Sequence, residues 1–347
     1  MSFSRLNLRG SRGRIGIFAG LGAAVLAILF AIPLVAGGFV ITVLTLTFAY
    51  AIFAASWDVI FGYTGQISLG PVFPYGISAF TVAYLDIHTS LPLVLIFLAG
   101  PVVATGAGLA IAGPSLRLSG NYLAVVTFAM GIIANEMALI LTGEEGLTAG
   151  VRHFFNGAPL PNYYFGLILM VVCCGFMLWV VNSRIGTKFK SIREDRVVAE
   201  ALGINTTSYK MLAFAINNFF SGVAGAFVVT YLAHVDYNFF QISLSFQIIA
   251  MTIVGGAGTI IGAMLGVFLL YIPASLLIGT GLYALIAYAI IIILVIILAR
   301  EGLLPFILNL ARRREKRRLK KSIALRNDQR AQSAGIPLPT SREPDER

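Results

Sequence analysis

The residues of this chain that could do chemistry are few, and they stand inside apolar surroundings. Asp58 interrupts one apolar run, Asn135 and Glu136 adjoin in a second, and Asn217 and Asn218 in a third. Ionisable and amide groups are costly in hydrocarbon, so such residues are expected at a path, a relay or a helix–helix contact. Asp58 is expected about one turn from a helix end, within reach of water, in a structural role. Glu136 lies deeper in its helix and is a candidate for a path or for contact with another subunit. Asn217 and Asn218 are expected to bond a neighbouring helix or to line a pore. His88, His153 and His234 have no metal-ligand spacing, so no metal site is expected. Cys173 and Cys174 are sequence neighbours, which on a helix point to different faces, and are read as small packing residues. No constellation of nucleophile, base and metal stands out, so an enzyme is not expected. The chain contains no G-x-x-x-x-G-K-[ST] phosphate cradle for a nucleotide.

These residues need elements to position them, and composition says which kind. Of 347 residues, 58% are apolar and 12% charged, about half the charge usual in soluble domains. Apolar runs of about 17–25 residues recur along the chain, the length that crosses roughly 30 Å of hydrocarbon as a helix. The fold class expected is therefore all-α, a polytopic membrane protein with about 8–10 transmembrane helices. Residues 1–14 read as a basic N-terminus. The run from Ile15 to Ala36 exceeds the core of a secretory signal and is kept as a membrane helix.

Threading the segments from a cytoplasmic N-terminus places Arg117, Arg184, Lys188, Lys190, Arg193, Arg196 and Lys210 inside. Asp86, Glu144, Glu145 and Asp236 fall outside, with Arg152 as the basic exception. Nine simple crossings would leave the basic run from Arg312 to Lys321 outside, against the same rule. The segment Phe246–Leu277 resolves the conflict, because as one helix its 32 residues would reach about 48 Å and its interior reads Gly255-Gly256-Ala257-Gly258-Thr259. It is expected to break there, as two crossings or as a re-entrant piece and a crossing. A second glycine-rich break, Gly62 to Pro71, separates earlier segments. Non-helical backbone at membrane depth is tolerated where protein or a water-filled cavity satisfies it, and paired breaks in two halves of a chain point to a translocation path.

The loop at 182–208 carries Ile192, Val197, Ala199, Leu202 and Ile204 among charges of both signs, the pattern of a short amphipathic helix that Gly203 can stop. With no core of its own to dock on, it is expected to seek a protein groove. Residues 15–299 form the membrane domain, and 300–347 a basic, largely disordered cytoplasmic tail. Positions 312–347 hold twelve basic and five acidic residues, so the excess charge describes a tail drawn to membrane lipids and not a nucleic-acid surface.

Four stretches in order, GYTGQISLG (Gly62–Gly70), LSGNYLAVVT (Leu118–Thr127), the loop containing Ile192-Arg193-Glu194-Asp195 and Leu202-Gly203-Ile204-Asn205, and Gly255–Thr259 with Gly262, resemble branched-chain amino-acid ABC permeases of the LivM type. The resemblance covers roughly residues 40–275. It implies a transport subunit of an ATP-driven importer in the bacterial inner (plasma) membrane, with both termini cytoplasmic. Its implied partners are a second homologous permease subunit, two ATP-binding subunits and an external solute-binding protein. The chain itself is expected to hold no cofactor, ATP and Mg being bound by the partner ATPase. Arg193, Glu194, Ala199 and Gly203 are implied at the ATPase-coupling surface. The candidate substrate path comprises Gly65, Gln66, Ser68, Gly70, Asn121, Thr127, Asn135, Glu136, Asn217, Gly255 and Gly256. Pro71, Pro74, Ala79-Phe80 and Glu144-Glu145 depart from the family pattern and leave the solute open between branched-chain or related amino acids and urea or short amides. An ion-coupled secondary transporter is the competing class, with Glu136 as its candidate relay.

Overall fold

The computed structural model describes residues 24–115, 122–148 and 151–277. Arg117, Asn121, the apolar run from Leu282 to Ala299 and the basic tail lie outside the described residues. Every helix and turn within them belongs to one helical bundle. Its elements are α1 (Ala24–Leu34), α2 (Gly38–Asp58), α3 (Val72–His88), α4 (Leu93–Ser115), α5 (Tyr122–Thr142) and α6 (Pro159–Asn182). Two short helices follow, α7 (Arg184–Glu194) and α8 (Arg196–Ala201), then α9 (Thr206–Leu232), α10 (Ile242–Gly256) and α11 (Ile260–Leu277). Among the described residues five helices are long and apolar enough to cross a membrane, counting α2 with the π-helical turn Val59–Tyr63 that extends it; α10 and α11, bent by 116° at their junction, make six if taken as one broken span. The chain is an all-α polytopic membrane protein.

α2 is apolar on every face, which suits a helix surrounded by others. It packs against α6, α9, α10 and α11, and each residue from Ala51 to Asp58 is buried. Its small residues Ala49, Ala51, Ala54 and Ala55 let those neighbours come close. α3, α4 and α9 form a second packed group. In α4 the buried stripe Gly100, Ala104, Gly108 and Ala112 repeats every four residues, the helical spacing that keeps small residues on one face. Cys173 and Cys174 are both buried in the core. α1 belongs to the bundle: the hydroxyl of Tyr163 on α6 donates to the carbonyl of Leu29 at 2.6 Å.

Loops at one end of the bundle interlock. The buried Asp86 carboxylate accepts from the Arg152 backbone N–H and from its Nε at 2.6 Å, while Arg152 Nη2 donates to the Leu91 carbonyl at 2.9 Å. Leu147 and Val235 form a β-bridge beside it. Asp86, Arg152 and the Asp236 loop therefore share one end, and Arg152, the basic exception in the charge pattern, is neutralised there by Asp86.

The expected break at Gly255–Thr259 is present. α10 starts at the Asp236 end and stops at Gly256; Gly256 and Gly258 take φ of 120° and 85°, and Thr259 Oγ1 donates to the Gly256 carbonyl at 2.6 Å to close the turn. At 15 residues α10 spans about 22 Å, short of the hydrocarbon thickness, so the turn is recessed in the bundle. α10 and α11 touch through backbone: a Cβ on Gly255 would stand 1.9 Å from the Gly262 carbonyl oxygen. Gly255→Ala is expected to cost about 1–3 kcal/mol by overpacking and to lower the melting temperature in detergent by about 2–10 °C. An unchanged melting curve would show that the two helices separate freely.

Candidate functional site

The break at Gly62–Pro71 builds the site. α2 ends in the π turn, a device that recurs at functional sites. The chain then runs without helix to Pro71, turning at Gly65 with φ of 70°. Two bonds hold this segment: Trp57 Nε1 donates to the Ser68 carbonyl at 2.9 Å, and the Leu69 N–H donates to Thr127 Oγ1 on α5 at 3.1 Å. Gly70 lies so close to α5 that a Cβ there would fall 1.9 Å from the Thr127 carbonyl oxygen. Pro71 and Pro74 lie at and just inside the start of α3, where a missing N–H costs no helical bond.

Ser68, Gly70 and Thr127 face Gly108, Asn217 and Asn218 across a cleft between α3, α4, α5 and α9. Phe73, Met130 and Phe214 supply apolar walls. Its cavity is about 20 Å³, enough for one water and far below the roughly 300 Å³ at which ligand pockets begin. The protomer is closed to an amino acid here. Ser56 Oγ donates to Asn217 Oδ1 at 3.4 Å and Asn217 Nδ2 to Asn218 Oδ1 at 3.2 Å, so this pair both binds a neighbouring helix and lines the cleft. Asn218 Nδ2, buried, has no partner among the described residues.

The structure thus brings Ser68, Gly70, Thr127 and Asn217 together and places the other described path candidates elsewhere; Asn121 lies outside the described residues. Gly65 lies against Arg193 of α7, and Gln66, half-buried, donates its N–H to the Ile60 carbonyl at 3.2 Å. Asn135 Nδ2 donates to the Tyr237 carbonyl at 2.8 Å and ties α5 to the turn before α10. Glu136 stands outside the cleft, on an exposed face of α5 with Ile132, Ile133, Met137 and Ile140. Gly255 and Gly256 belong to the α10–α11 turn. Asn218 and Gly108 complete the cleft. The small-residue stripe of α4 is the signal that could have nominated Gly108.

Asp58 does not reach water. It is fully buried, and its Oδ1 accepts from the Gly258 N–H at 2.7 Å, which makes it the link between α2 and the α10–α11 turn.

The amphipathic loop is two helices, divided at Asp195, whose carboxylate caps α8 by accepting from the Val197 and Val198 N–H groups. It does have a core to dock on: α7 buries Gly186, Phe189 and Ile192, and α8 buries Ala199 at 1% exposure. Ala199 is consequently closed to any partner. The free apolar edge of α8 is formed by Val197, Val198 and Leu202, with Val197 and Leu202 each 74% exposed. Glu194 is exposed at the end of α7, and Gly203 stops α8 with φ of 79° and open space around its Cβ position. The Thr206 hydroxyl and Arg196 both bond Glu200 and hold its carboxyl below the usual range.

A helical membrane bundle with two recessed breaks and a protruding loop of paired helices has the make-up of a transport subunit. Residues 39–299, most of the chain, match the family described as branched-chain amino acid transport system, permease component, and the chain belongs to that family. It is 25% identical over 313 residues to the high-affinity branched-chain amino acid transport system permease protein LivM of Salmonella typhimurium, covering 81% of this chain and 74% of that one. It is 24% identical over 259 residues to the permease protein BraD of Pseudomonas aeruginosa, covering 65% and 81%. The autoinducer 2 import system permease protein LsrC of Yersinia enterocolitica is 26% identical over 215 residues, covering 59% and 58%.

Proposed function

We propose that this chain is one of two permease subunits of an ATP-driven importer in the bacterial inner membrane, passing branched-chain or related amino acids handed over by an external binding protein. Two separate ATP-binding subunits hold ATP and Mg and dock on α8 from the cytoplasm, which places the Asp86–Arg152 end outside. The observation that carries this reading is the exposed edge Val197, Val198 and Leu202, an apolar surface on a short charged loop, in a chain of the permease family. A loop facing only solvent gains nothing from three exposed apolar side chains in a row on one edge. The closed cleft at Ser68, Thr127 and Asn217 fits a gate that widens when the subunits move. Glu136, outside the cleft on an outer face, is poorly placed for the proton or ion relay of a secondary transporter and suits contact with the second permease subunit.

A solute other than an amino acid is favoured by one observation, the likeness to a permease named for autoinducer 2 import. Co-expression with candidate ATPase subunits, a second permease and a binding protein from the same organism, followed by reconstitution in vesicles, tests both readings. ATP-dependent accumulation of labelled leucine, isoleucine or valine is expected. Uptake of urea or a short amide in their place would change the solute, and accumulation driven by an ion gradient without ATP would overturn the class.

A further inference from the structure

Three segments far apart in sequence meet in one notch: the end of α2, the turn between α10 and α11, and the last turn of α7. A Cβ on Gly62 would stand 2.1 Å from Asp58 Oδ1 and 2.3 Å from the Gly258 nitrogen, so only glycine lets the backbones close on one another. Asp58 bonds the Gly258 N–H. From the other side Arg193 Nη1 donates to the Gly62 carbonyl, and a Cβ on Gly258 would come within 3.0 Å of the same Nη1. The guanidinium of this otherwise exposed residue thus reaches the junction of both breaks. Asp58 Oδ2 is buried with no partner among the described residues, so the Gly258 N–H on its other oxygen is the bonded compensation shown for this carboxyl.

Arg193 differs in this from its neighbours on the loop. Val197, Val198 and Leu202 make no such bond and stay exposed, whereas Arg193, also exposed, reaches the Gly62 carbonyl of the membrane domain with Nη1. Charge-assisted bonds to fixed backbone groups are directional, and a planar guanidinium held by one is a stiff connector.

We propose that Arg193 and Asp58 form a tie that makes α7, the end of α2 and the α10–α11 turn move as one unit, so that displacement of the loop reaches both helix breaks. Both are positioning residues. The tie rests on the reading of α8 as the ATPase-docking surface, and it adds the route by which docking acts on the membrane domain.

The test is the ratio of solute accumulated to ATP hydrolysed, measured in the same vesicles with the full complex. Arg193→Ala is expected to lower uptake at least tenfold and hydrolysis far less, so that solute moved per ATP falls at least fivefold. Arg193→Lys keeps the charge and a donor and is expected to recover at least half of the ratio. Asp58→Asn keeps an acceptor for the Gly258 N–H but loses the charge, and should lie between. Where Arg193→Ala assembles poorly, Arg193→Gln is judged by the same ratio. An unchanged ratio, or uptake and hydrolysis falling in parallel as in a misfolded or undocked complex, overturns the tie. Absence of ATP-driven uptake in the wild-type complex would instead overturn the importer reading itself.

Discussion

Gly70→Ala is expected to lower uptake about ten- to a hundredfold, while the chain still inserts and associates with its partners. The reason is geometric. The new methyl would lie 1.9 Å from the Thr127 carbonyl oxygen, a backbone atom of α5 that cannot rotate aside. Relief requires the Gly62–Pro71 segment to leave α5, which breaks the Leu69 N–H bond to Thr127 Oγ1 and moves Ser68 away from the cleft. Overpacking of this kind typically costs about 1–3 kcal/mol, enough to redistribute a gate without unfolding a helical bundle. Gly131→Ala, on the α5 side of the same seam, is the matched control. Its Cβ would meet Val72 Cγ2 at 3.6 Å, an ordinary contact, and alanine favours the helix over glycine by roughly 0.5–1 kcal/mol. Uptake by that variant is expected within about twofold of wild type. Equal uptake by the two variants would show that the seam between the break and α5 has no part in transport.

The second large effect is expected at the α7–α8 loop. Val197→Asp with Leu202→Asp should reduce co-purification of the ATPase subunits at least about a hundredfold. Burying two such side chains in a partner groove contributes about 3–6 kcal/mol by area, and each tenfold in affinity is about 1.4 kcal/mol. Both side chains are exposed in this chain, so its own folding should change by about 0.5 kcal/mol or less per site. Thermal melting of the isolated chain and pull-down of the ATPases separate the two quantities. Retention of the ATPases at wild-type levels would remove α8 as the docking surface. A bulky residue at Gly203 is a poorer probe, because φ of 79° strains any side chain there whether or not a partner is present. Ala199 is poorer still, since enlarging it disturbs the chain's own packing.

What could be read from the sequence were the features fixed by local chemistry. Both breaks were visible because glycine and proline clusters are poor helix material wherever they stand. The α7–α8 loop was visible because its apolar residues recur among charges. Which of those residues turn outward was not, since an amphipathic pattern defines a face but not the surface that covers it. The family resemblance implies Ala199 at the coupling surface, whereas its side chain is buried and Val197 and Leu202 are exposed. Asp58 shows the same limit. Its distance from the helix end was legible, but Gly258, which stands two hundred residues away and removes it from water, was not. Of the path candidates, Ser68, Gly70, Thr127 and Asn217 converge because α3, α5 and α9 cross near them. Asn135 has the same chemistry as Asn217 and is diverted by the Tyr237 carbonyl.

The notch also has an electrical polarity. The Gly62 carbonyl belongs to the last turn of α2 and its π extension, the end at which a helix presents partial negative charge, and Gly258 precedes the first turn of α11, where partial positive charge gathers. Arg193 meets the negative end and Asp58 the positive one. The sign of each side chain is therefore dictated by the direction of the helix it touches. Exchanging the two residues would set each charge against a dipole of its own sign.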